Sequence, residues 1–179
     1  MKRLQHINTI IHFVIILWAV YFLSFFLPLQ QFGIIPRTTI GLIGIPLSPF
    51  LHANIYHILT NSVGLLIFGC IFSLLEGRKT AMVISFIVIL QGGLTWGFAR
   101  PGNHIGASGM IFGLFGYLLL IGYFHRKVSY ILISLAILFL YGSMIFGVFP
   151  TSRQISWEGH LFGFLAGAIA AKQKKLKKH

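Results

Sequence analysis

Six long apolar runs, separated by short polar or basic breaks, make up most of this chain. They cover roughly residues 8–28, 55–75, 80–99, 107–124, 128–148 and 156–171, and none has a lysine or arginine in its interior. A helix needs about 20 predominantly apolar residues to cross a bilayer. The first run is too long for a signal peptide and no small-residue cleavage site follows it. The pattern predicts an all-α polytopic membrane protein with six transmembrane helices, of which the sixth is short.

The basic residues between the runs predict how the helices are oriented. With the N-terminus inside, the inner side carries Lys2, Arg3, Arg78, Lys79, Arg126, Lys127, Lys172, Lys174, Lys175, Lys177 and Lys178, and the outer side Arg37, Arg100 and Arg153. Cytoplasmic loops carry an excess of lysine and arginine, so both termini are predicted to be cytoplasmic. Residues 172–179 would form a basic cytoplasmic tail on anionic lipid.

One connection, 29–54, is much longer than the others. It is rich in proline and glycine, yet many of its residues are large and apolar. A loop surrounded by water would not have this composition. We expect it to be partly embedded in the membrane and packed on the outer side of the helices, within a single domain of residues 1–179.

Composition narrows the chemistry. Only 9% of the residues are charged and the mean hydropathy is +0.87, whereas a soluble domain has about 25% charged residues. The acids are Glu76 and Glu158, with no aspartate, which excludes carboxylate-pair enzymes and a Ser-His-Asp triad. A single cysteine, Cys70, excludes disulfides and cysteine zinc sites. The net charge of +12 comes from basic residues that flank apolar runs, so we expect no nucleic-acid partner. We also expect no metal and no cofactor.

Polar side chains inside transmembrane segments are costly and are functional candidates by default. Three groups stand out, in the second, fourth and sixth segments. All three segments run inward in the predicted topology, so the groups lie at one depth, just below the outer surface. They are His57 and Asn61, preceded by His52; Gly106-Ala-Ser108-Gly109; and Gly159-His160.

These residues suit nucleophilic catalysis. A neutral His160 could take the Ser108 hydroxyl proton and return it to a leaving amine. The backbone N–H of Ser108, with the side chains of His57 and Asn61, could stabilise an oxyanion, and Gly106 lets another part of the chain approach closely. Phe112, one turn after Ser108, could stack on His160. Glycines recur at Gly159, Gly163 and Gly167 and at Gly109, Gly113 and Gly116, which predicts close packing of the two segments.

Taken together, these motifs resemble the rhomboid family of intramembrane serine proteases. The boxes are Gly106-x-Ser108-Gly109, His52 with His57-x-x-x-Asn61, and His160-x-x-Gly163-x-x-x-Gly167. The resemblance covers about residues 30–170. It departs from some bacterial members in lacking a Trp-Arg pair in the long loop, and in having Phe112 where some members carry tyrosine.

The resemblance implies a six-helix core and a Ser108–His160 dyad. It implies an oxyanion and substrate-binding site at Ser108, Gly106, His57 and Asn61, with His52, Phe112, Gly109 and Gly163 in supporting positions. The partners would be transmembrane protein substrates, cleaved in or near their membrane segments and entering beside the fifth segment. By resemblance only, the location would be a bacterial plasma membrane.

Other functions stay open at this stage. A proteolytically inactive member could bind membrane-protein clients, and a small transporter could use His57, Asn61 and His160. The inner halves of the segments are almost wholly apolar, which disfavours a continuous ion path. Each polar residue also has an ordinary packing or hydrogen-bonding alternative. His104 is expected to be solvated in a short outer loop, and Cys70 and Glu76 have no assigned role.

Overall fold

The computed structural model of the chain describes residues 7–150, 152 and 154–174. Each predicted apolar run is helical, which confirms the all-α prediction. The helices are α1 Ile7–Leu23, α2 Ile55–Gly64, α3 Cys70–Glu76, α4 Thr80–Phe98, α5 Ser108–His125, α6 Val128–Tyr141 and α7 Trp157–Gln173. A π-helical turn, Leu65–Gly69, joins α2 to α3, and a 3-10 segment, Gly142–Val148, extends α6.

Several of these helices have the length and composition of membrane spans. Within the described part of the chain, three helical stretches are long and apolar enough to cross a membrane: Ile55–Phe98, Ser108–His125 and Val128–Val148. The first contains α2 to α4 and is broken at the 3-10 turn Gly77–Lys79. Most of the surface of α6 is apolar and exposed; its Phe139 side chain is 88% exposed. A helix with this surface is suited to lipid rather than water.

Helix α5 lies at the centre of the bundle. Every residue from Gly109 to Leu118 is buried, and α5 contacts α2, α4, α6 and α7. A helix that is apolar on all sides can be buried inside a bundle in this way. Ser108 is the first residue of this buried helix.

Glycines allow α5 and α7 to pack backbone to backbone. A Cβ atom on Gly163 would lie 1.9 Å from the Gly109 carbonyl oxygen, and one on Gly167 would lie 1.8 Å from the Gly113 carbonyl oxygen. The register advances in the same direction along both helices, so they run parallel. This is the close packing that the two glycine series predicted, and it sets the first turns of α5 and α7 side by side.

Replacing Gly163 with alanine should therefore destabilise the protein and separate α5 from α7. The new methyl group cannot fit beside the Gly109 carbonyl, and overpacking of this kind costs about 3 kcal/mol. Thermal unfolding in detergent micelles measures the loss. Gly93→Ala is the matched control, because nothing lies within 4 Å of its Cβ position; equal melting temperatures for the two variants would contradict the packing.

The long connection between α1 and α2 packs against the bundle, as its composition predicted. It folds into 3-10 turns and a one-turn helix, Gly44–Leu47. A Cβ atom on Gly92 of α4 would lie 2.7 Å from the Ile45 side chain, so α4 and the connection are in direct contact. The opposite surface exposes Ile40, Leu42 and Ile43. Backbone hydrogen bonds between Ile34 and His104 attach this connection to the loop before α5.

At the C-terminal end of α7, Glu76 has a structural role that could not be assigned from the sequence. Its buried carboxylate accepts a hydrogen bond from the Tyr117 hydroxyl and pairs with the Lys174 ammonium group. This pair holds the end of α7 against α3 and α5. Several residues used to predict the orientation lie outside the described residues, namely Lys2, Arg3, Arg153, Lys175, Lys177 and Lys178.

Candidate active site

The structure brings Ser108 and His160 together. Ser108 is the first residue of α5 and His160 lies in the first turn of α7. The Ser108 Oγ and the His160 Nε2 are 2.9 Å apart, a hydrogen-bonding distance. The close packing of α5 on α7 at their glycines holds the first turns of the two helices at this distance.

The other ring nitrogen of His160 determines which tautomer is present. His160 Nδ1 lies 3.0 Å from the carbonyl oxygen of Gly147. A carbonyl can only accept a hydrogen bond, so Nδ1 carries the proton and Nε2 presents its lone pair to Ser108. The Gly147 carbonyl thus orients the ring, as a carboxylate does in a triad. No side-chain pattern could have marked Gly147, because any residue has a backbone carbonyl.

Phe112 fixes the plane of the His160 ring. The two rings are stacked, with centroids 4.1 Å apart and an angle of 8° between the planes. This is the contact expected for Phe112 from its position one turn after Ser108. Gly147 lies beside this stack, since a Cβ atom there would be 2.6 Å from Phe112 Cζ. The ring of His160 is therefore held by a stack on its face and by hydrogen bonds at both nitrogens.

His57, Asn61 and Gly106 meet on the other side of Ser108. Asn54 caps α2 by accepting a hydrogen bond from the His57 backbone N–H at 2.9 Å, which fixes where the helix and its side chains begin. A Cβ atom on Gly106 would lie 2.4 Å from His57 Nε2 and 3.3 Å from Asn61 Nδ2, and Gly106 has a φ of +111°. Only glycine fits this approach.

Asn61 has an unused donor at this point. Its side chain is buried, and its Nδ2 has no hydrogen-bond partner within the described part of the chain. Buried polar groups in folded proteins are nearly always hydrogen-bonded. An unpaired amide nitrogen that lines the same cavity as Ser108 therefore suits a group that is supplied by a ligand.

His52 lies behind His57 rather than at the dyad. Its ring makes an edge contact with the His57 ring at 5.0 Å between centroids, and its Nδ1 is 3.3 Å from the Phe50 carbonyl. Burial, together with the neighbouring His57, lowers the pKa of His52 to about 4. This buried and neutral ring fits the supporting position expected from the sequence.

The lowered pKa of His52 predicts a pH-dependent stability. Its usual pKa is 6.5, so between about pH 6.5 and pH 4 the unfolded chain binds more protons than the folded one. Stability should rise with pH across this window and be lost as the pH falls, by about 3 kcal/mol at most. Melting temperatures at pH 7 and pH 5 measure this, and His52→Gln should reduce the difference. A difference that His52→Gln leaves unchanged would contradict it.

Two cavities adjoin Ser108. The larger, of about 680 Å³, is lined by residues that include His57, Asn61, Ser108 and His160, and it is large enough for a segment of peptide. The smaller, of about 20 Å³, lies on the α4 side and is lined by polar groups that include Gln91 and Ser48. That volume suits about one water molecule. Gln91 also packs against Gly109, since a Cβ atom on Gly109 would lie 2.6 Å from Gln91 Oε1.

The structure corrects the prediction for His104. This residue is buried, not solvated, with its Nδ1 2.6 Å from Ser156 Oγ. The loop before α5 is short, but it is covered by the segment before α7, which sequence spacing could not show. Glu158 does not reach His160 and instead pairs with Arg100 at 3.4 Å. No three metal-ligating side chains converge within the described ranges.

The site and the fold together define a helical membrane protein in which a serine and a histidine are hydrogen-bonded at the first turns of two parallel helices. Comparison with known proteins agrees with this class. Residues 37–173 match the family model described as the Rhomboid domain. The chain belongs to the rhomboid family.

Individual relatives are named only in general terms. An uncharacterized protein of Mycobacterium tuberculosis (strain H37Rv) is 40% identical over 148 residues, which is 78% of this chain and 62% of the relative. YdcA of Bacillus subtilis, whose name describes it provisionally as a rhomboid protease, is 27% identical over 179 residues (89% and 85% of the two chains). The chain thus spans about three fifths of the length of this mycobacterial relative, 62%.

Proposed function

We propose that this protein is an intramembrane serine endopeptidase that uses Ser108 as nucleophile and His160 as general base. The observation that carries the proposal is the 2.9 Å contact between Ser108 Oγ and His160 Nε2, with the ring in the tautomer that leaves Nε2 free to accept a proton. Membership of the rhomboid family supports the same activity.

The geometry accounts for each step of peptide hydrolysis. His160 Nε2 takes the hydroxyl proton as Ser108 Oγ attacks the carbonyl carbon of the scissile bond. The carbonyl oxygen becomes an oxyanion, which the Asn61 amide, the His57 ring and the Ser108 backbone N–H stabilise. His160 then gives its proton to the departing amine. Water attacks the acyl-enzyme with His160 as base, which releases the acid and restores Ser108.

The membrane topology is part of the proposal. Six spans at 8–28, 55–75, 80–99, 107–124, 128–148 and 156–171 would place both termini in the cytoplasm, in one domain of residues 1–179 with the basic tail at 172–179. The dyad would then lie just below the outer surface. The mycobacterial and Bacillus relatives favour a bacterial plasma membrane.

The substrates would be transmembrane proteins, cleaved in or near their membrane segments. The 680 Å³ cavity beside the dyad has room for an extended segment of peptide. Access beside α6 is favoured because that helix is mostly exposed on its apolar surface and packs less tightly than α5 or α7. The bilayer itself is the second partner, and the proposal includes no nucleic acid, metal or cofactor.

A proteolytically inactive, client-binding protein is the second candidate. It needs the fold and the cavity but no hydrogen-bonded dyad, so the oriented Ser108–His160 pair favours the protease. Transport is disfavoured because most of the polar groups named here gather at one end of the helices.

Purified protein in liposomes, incubated with a panel of single transmembrane peptides, tests the proposal. We expect discrete cleavage, located by mass spectrometry of the products, that Ser108→Ala abolishes while peptide binding is retained. Binding without cleavage by a correctly folded wild-type protein, across the whole panel, would support the client-binding candidate instead.

A further inference from the structure

Three loops meet at His104. Its backbone N–H and carbonyl are both hydrogen-bonded to Ile34 in the long connection, at 2.9 and 3.0 Å. Its ring reaches the segment before α7, where Nδ1 lies 2.6 Å from Ser156 Oγ, and reaches back along its own loop, where Nε2 lies 3.0 Å from the Arg100 carbonyl. The side chain is 7% exposed.

The partners of the ring fix its hydrogen-bonding roles. The Arg100 carbonyl only accepts, so Nε2 donates to it. In the neutral ring Nδ1 then accepts from the Ser156 hydroxyl. Ser156 directly precedes α7, and its backbone carbonyl accepts from the His160 N–H at 3.2 Å. One hydrogen bond therefore joins the loop that ends at Ser108 to the turn that begins the helix of His160.

A second contact joins the same two segments. The Arg100 guanidinium donates to the Ile155 carbonyl at 2.5 Å and pairs with Glu158. The Arg100 backbone N–H also lies 3.3 Å from Glu158 Oε1. The loop 100–107 is thus attached to the start of α7 at Arg100 as well as at His104.

We propose that His104 and Ser156 are positioning residues that set the distance between Ser108 and His160. The inference rests on the proposed function, since it concerns the alignment of that dyad. Neither side chain bonds to Ser108 or His160. They act by joining the chain four residues before the nucleophile to the chain four residues before the base. No feature of the sequence pattern identified this pair, and His104 was expected to be solvated.

The expected effect is on the chemical step. Loss of the His104–Ser156 bond frees the loop and the turn to move by fractions of an ångström, and a displacement of 1 Å at a reacting pair can lower the rate by about a hundredfold. His104 and Ser156 line the cavity beside Ser108, but the polar atoms of their side chains are taken up by each other and by the Arg100 carbonyl, so substrate binding should change little. We expect kcat to fall by about tenfold with KM within about twofold of wild type.

The test compares His104→Phe, Ser156→Ala, the double variant and Ser156→Thr, with kcat, KM and melting temperature measured for each. Phenylalanine keeps a ring of similar size but makes neither bond, alanine removes only the hydroxyl, and threonine restores it. Ser73→Ala is the matched control. Ser73 is fully buried, but its hydroxyl bonds to Cys70 within α3, far from the dyad.

Coupling through one bond predicts that the double variant is no slower than the slower single variant, and that Ser156→Thr recovers most of kcat. Additive losses, no loss beyond that of Ser73→Ala, or a loss of kcat that follows the melting temperature would each overturn the positioning role. Absence of any Ser108-dependent cleavage in the wild type would instead overturn the proposed function, so the two failures are distinguishable.

Discussion

Replacing Ser108 or His160 with alanine should each lower kcat by about 10⁴-fold or more, and the double replacement should lower it no further. In the proposed mechanism the two side chains act as one unit through a single 2.9 Å contact, and removal of one member of such a unit costs about as much as removal of all. Cleavage of a transmembrane peptide in liposomes measures the three rates.

This prediction separates a dyad from two independent contributors. If Ser108 and His160 acted separately, the double variant would be slower by the product of the two factors. Ser73→Ala supplies the control for loss of a buried hydroxyl, since it lies on α3 away from both residues. A His160→Ala variant with kcat close to wild type would contradict the role of His160 as base.

Replacing Asn61 with alanine should lower kcat by about 10²- to 10³-fold with little change in KM. The Asn61 Nδ2 is a buried donor without a partner in the described part of the chain, and it lies beside Gly106, two residues before Ser108. It can bond an oxyanion that exists only along the reaction path. An interaction made only in the transition state affects kcat rather than ground-state binding.

Thr60→Ala is the matched control for Asn61. Thr60 precedes Asn61 on α2 and lines the same cavity, but its hydroxyl is bonded to the Tyr56 and His57 carbonyls within the helix. We expect Thr60→Ala to keep kcat close to that of the wild type, because the Thr60 hydroxyl is already bonded within the helix and offers no free donor to the cavity. A rise in KM with unchanged kcat in Asn61→Ala would instead assign Asn61 to substrate binding.

The location of the site could be predicted from the sequence because membranes restrict where polar groups lie. Helical runs were defined by hydropathy and oriented by basic residues, and Ser108, Asn61 and His160 then fell at one depth. The structure brings these residues together. The close packing of α5 on α7 could be predicted in the same way from their glycine series, since a close approach of two backbones needs residues without a Cβ. The register that sets Gly163 against Gly109 is seen only in the structure.

Other parts of the site were not predictable because they depend on backbone atoms and on loops. The carbonyl of Gly147 orients His160, and no side-chain pattern marks a carbonyl. The burial of His104 depends on the segment before α7 covering the short loop before α5. Glu76 pairs with Lys174, 98 residues away, and periodicity along a helix does not reveal a contact of that range.

Covalent labelling of Ser108 tests most directly whether Ser108 is a nucleophile activated by His160. Wild type, Ser108→Ala and His160→Ala, at matched expression in membranes, would be treated with a fluorophosphonate probe, and the labelled residue would be identified by peptide mapping. An activated serine reacts without any knowledge of the natural substrate. We expect label on Ser108 in the wild type and none in either variant. Label that persists in Ser108→Ala, or a wild-type protein that cleaves transmembrane peptides while Ser108 stays unmodified, would contradict it.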